Sequence, residues 1–192
     1  MTIGRVTVKG GFLLLMAILF YFDTTGVILW MLPAAALHEL GHLLALRLFG
    51  VHAEVWTFSL RGVEMRLPDW PTLSYGRDFV ATLAGPLFSL LGAFVAARLA
   101  GSPASGLYVL SGMAYVQGLF NLLPAKSLDG GRLLRLALSR FFGEGVADRA
   151  LVVSTAVCAG LLLIAGVLAY AGGRQNLVLL LTSVYLALSI LL

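Results

Sequence analysis

Apolar residues run along this chain in long blocks separated by short polar stretches. Six blocks read as membrane helices: residues 12–22, 26–46, 79–99, 107–123, 150–170 and 177–192. A helix needs about 20 mostly apolar residues to cross a bilayer. The first block has only 11, so it can span only with help from flanking residues or local thinning. Between the second and third blocks, residues 51–60 and 63–67 are rich in β-branched and aromatic side chains. Arg61-Gly62 can turn between them, which predicts a β-hairpin ended by Pro68 and Pro71. Weak alternation over residues 3–9 allows a short strand, and residues 133–142 read as an amphipathic helix with Arg132, Arg135 and Arg140 on its polar side. The expected fold is an all-α polytopic membrane protein of about six transmembrane helices, with a small β-hairpin between the second and third spans. The 192 residues suffice for one domain, 1–192.

Composition sharpens this picture. The chain is 60% apolar and 11% charged, against about 25% charged in soluble domains. The net charge of +4 does not point to nucleic acid, because the basic residues are scattered between apolar blocks and form no patch. Cys158 is the single cysteine, which excludes a disulfide within the chain. Arg5 and Lys9 ahead of block 12–22 resemble the start of a signal peptide, but Asp23-Thr24-Thr25-Gly26 offers no small-x-small cleavage site, so the segment reads as retained. With the N-terminus inside, eleven Lys and Arg residues fall on the inner side and only Arg98 and Arg174 outside. That bias places the N-terminus in the cytosol.

The second block contains His38-Glu39-Leu40-Gly41-His42. Ionisable groups at membrane depth cost at least ~2.5–3.5 kcal/mol for an Asp or Arg, so they mark a functional site. Residues four apart share a helix face, and His38 and His42 can therefore bind one metal ion. Glu39 lies about 100° round the helix, beside the metal and off it. This is the metalloprotease arrangement. Zinc lowers the pKa of its water to about 7, and Glu39 can take that proton and pass it to the leaving amine. Pro33, five residues before His38, predicts a bend.

A zinc hydrolase needs a third protein ligand. Asp129 is the leading candidate: it follows the fourth block, on the inner side, and precedes Gly130-Gly131, which allow unusual backbone angles. Its other reading is a helix N-cap. Glu54, Glu64 and Glu144 are rivals in polar stretches, and His52 reads as a surface or strand residue. Asn121 can bind an oxyanion or substrate carbonyl, or cap a helix end. Gly85-Pro86 and Gly92 in the third block read as a kink with close helix packing, or as shaping the substrate path.

His-Glu-x-x-His within a membrane block, followed by Asn-x-x-Pro-x-x-x-x-Asp-Gly after a later one, resembles the site-2 proteases, a family of intramembrane zinc metalloproteases. The resemblance covers roughly residues 12–142, and the short chain is similar to the compact branch typified by the sporulation factor IV B protease. It implies one zinc ion per chain held by His38, His42 and Asp129, with Glu39 as general base and Asn121 positioning substrate. The implied activity is cleavage of a membrane-associated or single-pass protein, such as a membrane-tethered pro-sigma or anti-sigma factor. Membrane regulatory proteins are implied as further partners, and a prokaryotic cell membrane with the site toward the cytosol as the location. Lys126-Ser127 departs from the apolar or Pro-containing residues expected there, which bears on the substrate groove and not on the metal. A zinc transporter would need polar groups along a whole path, which the outer halves of the blocks lack, and an inactive scaffold would not need the intact motif. A substrate must unwind to be cut, and an exposed edge over residues 51–60 could pair with it.

Overall fold

The computed structural model describes residues 2–3, 6–8, 17, 20–21, 23, 26–51, 55–59, 62–66, 73–102, 105–173 and 177–191. The chain forms two compact units, Met1–Gly118 and Leu119–Leu192.

The first unit holds β1 (Thr2–Ile3), β2 (Val6–Val8), α1 (Val27–Leu48), β3 (Val55–Ser59), β4 (Gly62–Arg66), α2 (Tyr75–Leu99) and most of α3 (Gly106–Asn121). Asp23 Oδ2 accepts the Ile28 N–H at 2.8 Å and satisfies one of the open donors at the start of α1. Helix α1 runs on through Pro33. It ends where Gly50 takes φ +78°: Gly50 N–H donates to Arg47 O and Val51 N–H to Leu46 O, at 3.0 and 2.9 Å. This closure tucks Val51 against Leu46, in a cluster with Ala45 and Ala81.

Helices α1 and α2 pack antiparallel, and small side chains make the contact. Ala34 and Ala93 are buried with Ala114 of α3, and Gly92 lies against Leu37. In lipid, helices associate by such close backbone approach because burial from water contributes nothing. The far face of α1 stays open, with Leu40 42% and Leu48 85% exposed and Leu29, Leu32 and Leu44 also outward.

The second unit contains α4 (Asp129–Phe142), α5 (Glu144–Ala171) and α6 (Leu177–Leu191). Its core is Ala125, Cys158, Ala159 and Leu186. Thr155 Oγ1 accepts the Lys126 N–H at 2.9 Å and donates to Leu151 O, which fixes the chain before α4 against α5. Gly143, at φ +85°, separates α4 from α5. Arg135 forks across it to Glu144 Oε2 and Asp148 Oδ1, at 2.7 and 2.8 Å.

The expected fold class needs correcting on two counts. Among the described residues, three helices are long and apolar enough to cross a membrane, α1, α2 and α5, not six. They are enough to make this a membrane protein of helical class. Helix α3 has 16 residues and α6 has 15, which at ~1.5 Å per residue is under about 25 Å against a ~30 Å hydrocarbon core. Pro124 keeps α3 from extending further at its C-terminal end, since the residue before a proline is pushed out of the helical region. Residues 12–22 lie almost wholly outside the described residues. Secondly, the chain is not all-α with one isolated hairpin. Its strands form a four-stranded sheet in the order β1-β2-β3-β4, with β2 parallel to β3 and β3 antiparallel to β4. Strand β3 has a neighbour on each side, so Val55–Ser59 offers no free edge to receive a substrate; residues 52–54 and 60 of the expected edge lie outside the described residues.

Candidate metal centre

Both histidines of the motif sit on α1, where it meets α2. His38 is 4% exposed and His42 half-buried. Their rings meet edge to face with centroids 4.9 Å apart, and Nε2 of one lies 3.3 Å from Nε2 of the other. Two nitrogens bound to one ion at ~2.0–2.1 Å, at a tetrahedral angle, would be about 3.3–3.4 Å apart. The spacing therefore fits shared coordination of one cation.

The other ring nitrogens are held by α2. His42 Nδ1 lies 2.8 Å from the Ala81 carbonyl oxygen, and His38 Nδ1 lies 3.0 Å from Ser89 Oγ. A carbonyl can only accept, so His42 carries its proton on Nδ1 and keeps a lone pair on Nε2, the form a metal requires.

Glycines make room for this arrangement. A side chain at Gly85 would strike the His42 ring, with Cδ2 only 2.7 Å away, and one at Gly41 would meet the Ala84 backbone and Phe88 Cβ. The Gly85-Pro86 pair thus serves close packing against the helix that carries the histidines. Sequence reasoning singled out Gly85 but missed Ser89 and the Ala81 carbonyl. The available signal was a row of small residues every fourth position, Ala81, Gly85, Ser89 and Ala93, which reads as one helix-contact face.

The remaining candidates are placed as follows. Glu39 is half-buried on α1, next to His38. Asn121 is the last residue of α3 and is half-buried. Asp129 is the first residue of α4; the cap position falls on the extended Leu128 one residue earlier, so Asp129 is not the N-cap. Gly130 and Gly131 are helical and buried, and neither has a positive φ. They serve by lacking a side chain: a Cβ would run into the Leu122 and Leu123 carbonyls at Gly130, or the Ala125 carbonyl at Gly131. Glu144 is exposed and bonded to Arg135. Glu54 and His52 lie outside the described residues.

No protein-family model matches the chain. Over 115 residues, 57% of the chain, it is 34% identical to a zinc metalloprotease of Methanocaldococcus jannaschii, MJ0392. Over 146 residues, 68% of the chain, it is 35% identical to the putative zinc metalloprotease Rip3 of Mycobacterium tuberculosis. The chain spans about a third of the length of these curated relatives, 33% and 35%. Against the solved site-2 protease of Methanocaldococcus jannaschii it superposes with a TM-score of 0.71, covering 99% of this chain and 91% of that one at 24% identity.

The chain has the site-2 protease fold. It is a relative of zinc metalloproteases.

Proposed function

We propose that this site-2 protease relative is a zinc-dependent intramembrane endopeptidase that hydrolyses membrane-associated protein substrates. The observation that carries the reading is the His38–His42 pair. On a helix long enough to cross the membrane, two Nε2 atoms stand 3.3 Å apart with their Nδ1 atoms engaged elsewhere. Placing two imidazoles at such depth is costly unless they serve a site.

His38 and His42 supply the two nitrogen ligands, and Asp129 supplies the third, an oxygen. Asp129 suits the role because it heads α4 directly after the irregular chain 122–128, and non-helical backbone at membrane depth is tolerated only where it is buried or lines a cavity. Zinc bound there supplies a Lewis acid that makes water a competent nucleophile near neutral pH. Glu39 takes a proton from the attacking water as oxygen bonds to the peptide carbonyl carbon. It returns that proton to the nitrogen as the C–N bond breaks, so acid and amine leave balanced. Asn121, at the end of α3, orients the substrate carbonyl through its side-chain amide.

The substrate is a single-pass or membrane-tethered protein, of the kind a pro-sigma or anti-sigma factor represents, and the N-terminus and site face the cytosol. Counted over the six apolar blocks, the Lys and Arg distribution is eleven to two in favour of that orientation; the three membrane-length helices alone do not divide the chain that way. The test is reconstitution of the full chain in liposomes with a single-pass substrate. Cleavage that a chelator stops and zinc restores is the expected result; cleavage indifferent to chelation would sink the reading. Cysteines at Lys126 or Ser127, both exposed, should react with an impermeant thiol reagent only from the cytosolic side.

A further inference from the structure

We propose that Ser89 is the positioning residue for His38: its hydroxyl accepts the Nδ1–H of His38 and so presents the Nε2 lone pair of His38 beside that of His42. The inference rests on the reading that these two histidines hold zinc, and it adds a group outside the motif.

The geometry is specific. Ser89 Oγ lies 3.0 Å from His38 Nδ1, and the two side chains are 0% and 4% exposed. Water therefore cannot substitute for the hydroxyl, and in so dry a setting a hydrogen bond is electrostatically stronger than in water. A neutral imidazole has one N–H; when Nδ1 carries it, Nε2 is left as the ligand atom. His42 receives the same treatment from a different kind of group, the Ala81 carbonyl at 2.8 Å. Ala81 and Ser89 are eight residues apart, about two helical turns, and so lie on the same face of α2. One helix thus orients both ligands carried by its neighbour. Outer partners of metal-binding imidazoles typically matter 10–100-fold in metal affinity.

The experiment measures zinc affinity by chelator competition on the full chain in detergent, comparing wild type, Ser89→Ala and Ser111→Ala. Ser111 is the control: its hydroxyl also bonds to α2, at the Ala93 carbonyl 2.8 Å away, without touching a histidine. Ser89→Ala should bind zinc about 10–100-fold more weakly, whereas Ser111→Ala should stay within about twofold of wild type while lowering thermal stability. In ¹⁵N spectra of zinc-loaded protein, Ser89→Ala should shift one imidazole Nδ1–H signal, that of His38, and leave the His42 signal in place. Wild-type affinity in Ser89→Ala would overturn the inference alone, as would an equal loss in Ser111→Ala, since the effect would then be general loosening. A wild-type chain that takes up no zinc would overturn the metalloprotease reading and this inference with it.

Discussion

His42 donates its Nδ1 proton to the main-chain carbonyl of Ala81 across 2.8 Å, an acceptor that no side-chain substitution can delete. The orientation of this histidine is therefore vulnerable mainly through space. Gly85 lies under the ring, and an added methyl would reach within 2.7 Å of Cδ2. Gly85→Ala should push His42 away from Ala81, weaken zinc binding at least about tenfold and cost about 1–3 kcal/mol through overpacking. Metal content after dialysis and thermal melting would check both; unchanged zinc content would mean that the ring has room to move without losing its ligand position.

Glu39→Gln separates chemistry from binding. The amide keeps the size of the side chain but cannot take the proton of the attacking water. Cleavage should fall by roughly 10²–10⁴-fold with zinc content at the wild-type level. Zinc lost together with activity would instead make Glu39 a ligand.

Asp129→Asn should do the reverse, lowering zinc content and activity together. Its effect on stability should be small. As the first residue of α4, the carboxylate contributes about 0.3–1 kcal/mol through the helix dipole. A variant with full zinc affinity would move the third ligand elsewhere.

Arg135 forks between Glu144 and Asp148, but the three side chains are 47%, 55% and 58% exposed. Solvent and salt screen such pairs, so Arg135→Ala should cost under about 1 kcal/mol. The difference from wild type should vanish near 1 M salt, where the Debye length is about 3 Å. A large, salt-independent drop in melting temperature would show that Arg135 holds α4 by packing as well.

The motif was legible because its chemistry is written in adjacent letters. The spacing of His38 and His42 fixes a helix face, and apolar neighbours fix the medium. Ser89 was not legible, because its partner is 51 residues away and a serine in a membrane helix has many uses. The sheet was half visible. Residues 51–67 carry a local turn signal, whereas the parallel pairing of Val6–Val8 with β3 joins segments some fifty residues apart, and nothing local encodes it. The count of spans went astray at α3 and α6, because blocks of 17 and 16 residues read as spans although both fall short of the about 20 needed to cross a bilayer. For Gly130-Gly131 the residues were noticed for backbone freedom, but the structure uses their missing side chains.

The outward row on α1, from Leu29 through Leu40 to Leu48, ties the histidines to the surrounding lipid. A helix with one face on protein and the other on acyl chains takes its depth partly from bilayer thickness, at fractions of a kcal/mol per ångström of mismatch. The membrane is in that sense a ruler for this helix. On the proposed protease reading, thinner or thicker lipid would slide the histidine pair along a substrate and change which peptide bond it meets.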